Sequence, residues 1–377
     1  MSRPLTTVDL FCGAGGLSCG LEMAGLKVLG GFDADAIAHQ TFLGHHADSR
    51  VREPSDLSAL TGEGIRDLVG VGPGEIDVMT GGPPCQGFSM AGNRKQGDVR
   101  NTLVFHYVRL LHELRPRFFV MENVVGLLSM KTPGGRPVIE ALGEELTDLG
   151  YRTNIPDDDK LKKSLIVNAA DHGVPQRRRR VLVFGSRDGE PLPALATPSH
   201  HDPSCVPIES GSRPYVTSGE ALLDLPDPSR DEPLMLEPRE DLCDYARWIR
   251  DPEGRCWNHI PTNHRPFMVE RMKAQEPGTS LYDTWAHSWV RLIEDEPSPT
   301  VKENHNAPSV HPVQPRVLTP RECARLQSFP DGFKFEGKKS RQLVQIGNAV
   351  PPLLGRAIGE AFLTAAGVAK KRRSRTA

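Results

Sequence analysis

Three groups of residues in this 377-residue chain have the types and spacings that chemistry needs. The first is Cys85 in Gly81-Gly82-Pro83-Pro84-Cys85-Gln86-Gly87-Phe88-Ser89, which follows the apolar run Ile76-Asp77-Val78-Met79-Thr80. The run reads as a short buried strand, and two glycines followed by two prolines mark its end and the start of a stiff loop. A thiol held at the carboxyl end of such a strand, where open α/β sheets bind ligands, is a candidate nucleophile; the alternative is a buried structural cysteine. The second is Glu122, expected at the tip of the apolar strand Phe118-Phe119-Val120-Met121, where a carboxylate is costly unless paired or working. It follows Cys85 by 37 positions, one helical crossover, so neighbouring parallel strands can turn both side chains into one crevice. The third is Gln176 with Arg177, Arg178, Arg179 and Arg180, running directly into the strand-like Val181-Leu182-Val183-Phe184. On an extended chain alternate side chains point opposite ways, which sets Arg178 and Arg180 apart from Arg177 and Arg179; the latter pair are candidates for phosphate contacts.

The elements that must position these groups follow from hydrophobic pattern and turn residues. Thr6 to Phe11 reads as a strand, Cys12-Gly13-Ala14-Gly15-Gly16 as a Gly-rich turn, and Leu17 to Ala24 as a helix ended by Gly25. Glycines at a helix amino terminus let backbone approach a nucleotide-type cofactor. A second strand, Lys27 to Phe32, ends in Asp33-Ala34-Asp35, where an acid can accept from ribose hydroxyls or cap the helix that begins at Ala36. Further helices are expected from Arg100 to Leu114 and Val138 to Leu149, and an antiparallel pair from Leu165 to Ala169 and Val181 to Phe184. Thr319-Pro320-Arg321-Glu322 has the cap, proline and glutamate of a helix start, and a last helix covers Leu353 to Ala366. Alternating strands and helices of this kind predict an α/β fold.

Composition bounds the rest. The length accommodates two domains. With 46 basic and 48 acidic residues the chain does not announce itself as a nucleic-acid binder, so polyanion contacts must come from local clusters such as Arg177–Arg180 and the tail Lys370 to Arg375. Seven cysteines without a Cys-x-x-Cys pair read as reduced thiols, with no metal implied, and no signal core or membrane-spanning run is evident, which predicts a soluble cytoplasmic protein. From Gly189 to Pro315 the chain turns proline-rich and irregular and holds all four tryptophans, as a second, smaller domain would; its aromatics are expected in the core.

Gly-Pro-Pro-Cys-Gln-Gly-Phe-Ser, Asp-Leu-Phe-Cys-Gly-Ala-Gly-Gly, Glu122-Asn123-Val124, Gln176-x-Arg178-x-Arg180 and Gln345-Ile346-Gly347-Asn348-Ala349-Val350-Pro351 occur in this order. Together, from Val8 to about Phe362, the chain resembles the DNA (cytosine-5) methyltransferases. The resemblance implies a Rossmann-like, S-adenosylmethionine-dependent sheet at residues 1–188, a target-recognition domain at 189–315, a return segment at 316–366 that completes the first domain, and a basic tail at 367–377. It implies cofactor contacts at Phe11 (stacking on adenine), Cys12, Gly13, Ala14, Gly15, Gly16, Asp33, Ala34, Asp56, Leu57, Pro84, Leu103, Asn348 and Ala349. Cys85 would add to carbon 6 of a flipped cytosine, because a thiolate adduct makes carbon 5 electron rich. Glu122 would hold ring nitrogen 3 and the exocyclic amine, and Arg180, supported by Arg178, the carbonyl oxygen at position 2. Gln86 and Ser89 would lie near the vacated space in the DNA. The resemblance implies a monomer whose partner is double-stranded DNA, with a restriction endonuclease acting separately; transfer RNA, substrate of the family's RNA-directed branch, is the alternative.

Overall fold

The computed structural model describes residues 3–84, 103–132, 134–187, 189–205, 211–282, 289–302 and 309–368. Cys85, Gln86, Ser89 and residues 369–377 of the basic tail lie outside the described residues. The chain forms two compact units, one from residues 1–168, 179–196 and 355–374, the other from 169–178, 197–354 and 375–377. Residues 316–354, assigned above to the return segment, thus fall in the second unit; the return to the first begins at Gly355.

The first unit is a seven-stranded sheet of order β2-β1-β3-β4-β7-β5, with β6 also paired to β7. Strands β1 (Thr6–Leu10), β2 (Lys27–Phe32), β3 (Val78–Gly81) and β4 (Phe118–Val124) are parallel, and β7 (Arg179–Arg187) runs against β4. Strands β5 (Tyr151–Thr153) and β6 (Ile166–Asn168) pair antiparallel with successive stretches of β7. Between them lie α1 (Gly16–Ala24), α2 (Ala36–His45), α3 (Gly62–Val69), α4 (Leu103–Leu114) and α5 (Val138–Asp148).

Helices pack on both faces, so nearly every position of the central strands is buried whichever way it points. One face joins Val8, Leu10, Met79, Phe119 and Met121 to Tyr107 and Leu111 of α4 in a single core. Tyr107 lies edge-on to Phe119, and its hydroxyl donates to the Val120 carbonyl at 2.9 Å, so the one polar atom this ring buries is satisfied. On the other face Phe118 and Phe184 meet Phe362 of the carboxyl-terminal helix, with ring centroids 6.0 and 5.9 Å apart. Each buried ring contributes roughly 1.5–3 kcal/mol.

The second unit contains α6 (Ser218–Leu222), α7 (Asp244–Ile249), α8 (Pro266–Lys273), α9 (Pro320–Leu326) and α10 (Lys339–Asn348). The carboxyl-terminal helix, α11 (Pro352–Ala365), starts here and passes into the first unit at Gly355. Two pairs of two-residue strands, β8 (His200–His201) with β9 (Arg213–Pro214) and β10 (Leu234–Met235) with β11 (Arg255–Cys256), complete its regular structure. With so little backbone pairing, buried side chains take over that role. Arg321 donates to the carbonyls of Trp257, Pro330 and Phe333, and Arg291 to those of His311, Pro312 and Met272. Trp248 packs on Tyr245 and Trp289 on His264 and Tyr282, while Trp257 lies under the Lys334 ammonium, so these three rings serve the unit's own packing. Among the described residues no helix is long and apolar enough to cross a membrane.

Candidate active site

The register of the parallel strands lays out the site. Phe32, Leu10, Gly81 and Met121 are partners across β2, β1, β3 and β4. The next residue on each chain, Asp33, Phe11, Gly82 and Glu122, therefore lies one step further toward the sheet's carboxyl edge. At about 4.8 Å per strand this row spans roughly 14 Å. Strand β1 is flanked by β2 on one side and β3 on the other, so the order reverses between them and their carboxyl ends form the topological switch point where such sheets bind ligands.

On the β1–β2 side the backbone leaves the strand abruptly. Phe11, expected as the last residue of the strand, instead takes a left-handed conformation with φ of 57°, which costs a non-glycine residue of order 1 kcal/mol and is tolerated mostly at functional turns. Its ring remains packed on the core. Gly13 follows with φ of 53°, and a side chain there would project into space free of described atoms within 4 Å. The Gly13 amide donates to Asp33 Oδ2 at 2.9 Å and the Asp35 amide to Asp33 Oδ1 at 2.8 Å. Burial nonetheless raises the Asp33 carboxyl above its ordinary range. Each of its oxygens keeps a lone pair for a further donor.

The two readings of Asp33-Ala34-Asp35 divide between two residues: Asp33 ties the turns together, and Asp35 caps α2 by accepting from the Ile37 and Ala38 amides. Ala14 and Gly16 are buried at the start of α1 and Ala34 is exposed. The Cys12 thiol is also buried, which pushes it well above the ordinary thiol range, and its amide donates to the Phe32 carbonyl at 3.2 Å. Leu57 is buried, whereas Asp56 is exposed and accepts from the Ser58 hydroxyl and amide, which hold its carboxyl low. The Ser55 amide donates to the Asp33 carbonyl at 2.8 Å and brings this segment to the same edge.

On the β3–β4 side Glu122 is not at a strand tip. Strand β4 runs on to Val124 because β7 pairs along its whole length, with Glu122 opposite Leu182 and Val124 opposite Arg180. Arg180 is thus the diagonal neighbour of Glu122 on one face, and its Nε lies 3.0 Å from Glu122 Oε1, both side chains being about nine-tenths buried. The second carboxylate oxygen faces Gly82, where an added Cβ would sit 3.1 Å from it, so glycine gives the acid room it would otherwise have to find by shifting. Asn123, which the sequence reading passed over, donates its amide to the Pro83 carbonyl at 2.9 Å and accepts from the Val124 amide. It ties β4 to the backbone that follows β3 at Pro83. Pro84 is exposed and Leu103 half-buried at the start of α4.

The remaining candidates, Arg179 apart, lie in the second unit. Gln176 is fully buried, accepts from the Val301 amide and donates to the Leu326 carbonyl. Arg178 spends its guanidinium on the carbonyls of Val301, Gly347 and Ala349 at 2.9–3.1 Å, which fixes the backbone on either side of Asn348. Arg177 pairs with Glu296 at 2.6 Å and Asp202 at 3.4 Å, and Arg179, in the first unit, is exposed.

A glycine turn open at Gly13, an acid with spare acceptor capacity at Asp33 and a buried carboxylate–guanidinium pair further along the same edge fit an adenosine-bearing cofactor beside a reactive site. The sheet is that of the Rossmann-like S-adenosylmethionine-dependent methyltransferases. Comparison narrows the class. The profile of the C-5 cytosine-specific DNA methylases matches residues 5–364, and the chain belongs to that family. It is 34% identical to the Type II methyltransferase M.DdeI of Desulfomicrobium norvegicum, over 94% of this chain and 88% of the relative. To the Type II methyltransferase M1.HphI of Haemophilus parahaemolyticus it is 35% identical, over 95% and 87%. Among solved structures, a DNA modification methyltransferase encoded within an E. coli prophage superposes with a TM-score of 0.75 at 27% identity, covering 96% of this chain and 99% of that one. The Entamoeba histolytica methyltransferase EhMeth shares the fold, with a TM-score of 0.59 at 14% identity.

Proposed function

We propose that the chain methylates carbon 5 of a cytosine extruded from a specific duplex DNA sequence, with Cys85 as covalent nucleophile. The observation that carries this reading is the Glu122–Arg180 pair beside Gly82, three residues before Cys85. S-adenosylmethionine supplies, when bound, the electrophilic methyl group. Phe11, Asp33, Leu57 and the turn Cys12–Gly16 hold its nucleoside, together with Ala34, Asp56, Pro84, Leu103, Asn348 and Ala349.

The target carbon is inaccessible in a stacked duplex, so the base flips out, with Gln86 and Ser89 beside the space it leaves and Arg179 near phosphate. The Cys85 thiolate adds to ring carbon 6, and electron density moves toward carbon 5 and the nitrogen 3 and oxygen 2 edge. Glu122 presents its Gly82-facing oxygen to nitrogen 3 and the exocyclic amine. Arg180 donates to oxygen 2, where negative charge builds. Once carbon 5 has formed its bond to the methyl group and S-adenosylhomocysteine has left, loss of the carbon 5 proton to water expels the Cys85 thiolate and restores the ring. Arg178 acts as a positioning residue through the Gly347 and Ala349 carbonyls, and Arg177, already paired with Glu296, contributes less to phosphate binding. The second unit reads the target sequence. The protein works as a monomer in the cytoplasm, and the Type II names of its relatives support a restriction endonuclease acting on the same sequence. The family is a DNA methylase family, which favours duplex DNA over transfer RNA.

Purified protein incubated with methyl-labelled S-adenosylmethionine should label duplex DNA and leave transfer RNA unlabelled. Cys85→Ala should abolish transfer while cofactor affinity stays within about tenfold. Label in RNA alone, or a Cys85→Ala protein that still methylates, overturns the reading.

A further inference from the structure

Asp9 is a buried acid that this mechanism does not use. It sits in the middle of β1 at 1% exposure, on the face opposite Val8 and Leu10, and burial raises its carboxyl above the ordinary range. An apolar residue would fill the position more cheaply. What distinguishes the acid is its two partners. Ser18, in the first turn of α1 directly after the glycine turn, donates to Asp9 Oδ2 at 2.6 Å. Thr80, opposite Asp9 on β3 and two residues before Gly82, donates to Asp9 Oδ1 at 2.8 Å. One carboxylate therefore binds the helix that carries the cofactor turn and the strand that delivers the Cys85 loop.

We propose that Asp9 is a positioning residue that couples the two halves of the site, so that occupancy of the Gly13–Gly16 turn is felt at Cys85 through Ser18, Asp9 and Thr80. The coupling rests on the functional reading above only in placing cofactor at the turn and nucleophile at Cys85. Each bond can be removed separately. Ser18→Ala loosens the turn, Thr80→Val loosens the exit of β3 without changing its shape, and Asp9→Asn removes the charge that holds both.

The full chain is treated with iodoacetamide with and without saturating S-adenosylmethionine, and alkylation of the Cys85 peptide is followed by mass spectrometry. Cofactor should change the wild-type rate by about fivefold or more, the range of an ordinary coupling energy, and by less than about twofold in Asp9→Asn. Calorimetry with S-adenosylmethionine should give Ser18→Ala about tenfold weaker affinity and leave Thr80→Val near wild type, whereas single-turnover methylation should slow about tenfold in Thr80→Val. A wild-type alkylation rate indifferent to cofactor, or an Asp9→Asn or, should that variant not fold, a Thr80→Val protein that responds like wild type, overturns the coupling. Because alkylation and calorimetry do not require methyl transfer, these outcomes are separate from a failure of wild-type protein to label DNA, which would overturn the function and not the coupling.

Discussion

In the mechanism proposed above the Glu122–Arg180 pair has two jobs, which comparison of a single with a double substitution separates. As a buried pair it stabilises little by itself, since desolvation of both ions offsets their attraction, but removing one partner leaves a charge without compensation and costs about 3–5 kcal/mol. As transition-state donors and acceptors, its members should each matter by about 10²–10³ in kcat. Arg180→Met is therefore expected to lose activity by that factor and stability as well. Glu122→Gln/Arg180→Met should be equally inactive yet more stable than Arg180→Met alone. Steady-state methylation and chemical denaturation of the two proteins check this; a double variant less stable than Arg180→Met would mean that the pair is held mainly by its shape. The pairing of Glu122 with Arg180 was legible because an acid and a guanidinium beside apolar runs attract each other, whereas the structural contacts of Arg177 and Arg178 were not, since their partners Glu296, Val301 and Gly347 lie more than a hundred residues away. Asp9 was not, because in Thr-Thr-Val-Asp-Leu-Phe it reads as one polar position of a strand, and its partner Thr80 is 71 residues away.

Among the elements, strands bounded by glycine or proline were legible within a residue or two: β2 begins at Lys27 and ends at Phe32 as its apolar run does. The end of β4 was not, because pairing with β7, not residue type, carries it past Met121 to Val124. In the second unit the helix start at Thr319 was written in full, and a reciprocal capping box forms between Thr319 and Glu322. Glu322 does more than cap. It is fully buried, and although burial raises a carboxyl, Arg316 at 2.6 and 2.8 Å overrides that and holds it at about 2. A carboxyl below its ordinary 4.5 stabilises the fold above that pH and loses the contribution as pH falls from 4.5 toward 2. The amount at stake is about 3 kcal/mol. Denaturation followed by tryptophan fluorescence, which reports this unit because all four tryptophans lie in residues 248–289, should show that loss on acidification. Arg316→Met should remove the pH dependence over that window together with about 3–5 kcal/mol of stability at neutral pH. A variant with wild-type stability and an unchanged acid profile would remove Arg316 as the cause.

The molecule as a whole is nearly neutral, so nothing in its overall charge announces DNA, and only local motifs carried that reading. Nor did composition show how the chain is threaded. It passes from the first unit to the second at residue 169, back at 179, out again at 197, and back once more at Gly355, inside α11. The first unit therefore cannot complete the Phe118–Phe184–Phe362 cluster until the second has been traversed. A ligand held mainly at the sheet edge of the first unit should then stabilise both. S-adenosylmethionine at about one hundred times its dissociation constant adds about 2.7 kcal/mol to whatever it binds. If the units unfold together, the whole of that gain appears in the tryptophan signal of the second unit as well as in the helical circular-dichroism signal of the entire chain. We expect one thermal transition by both probes, shifted upward equally by cofactor. Two transitions, with the tryptophan one unmoved by S-adenosylmethionine, would mean that threading does not enforce cooperativity and that the second unit folds without the first.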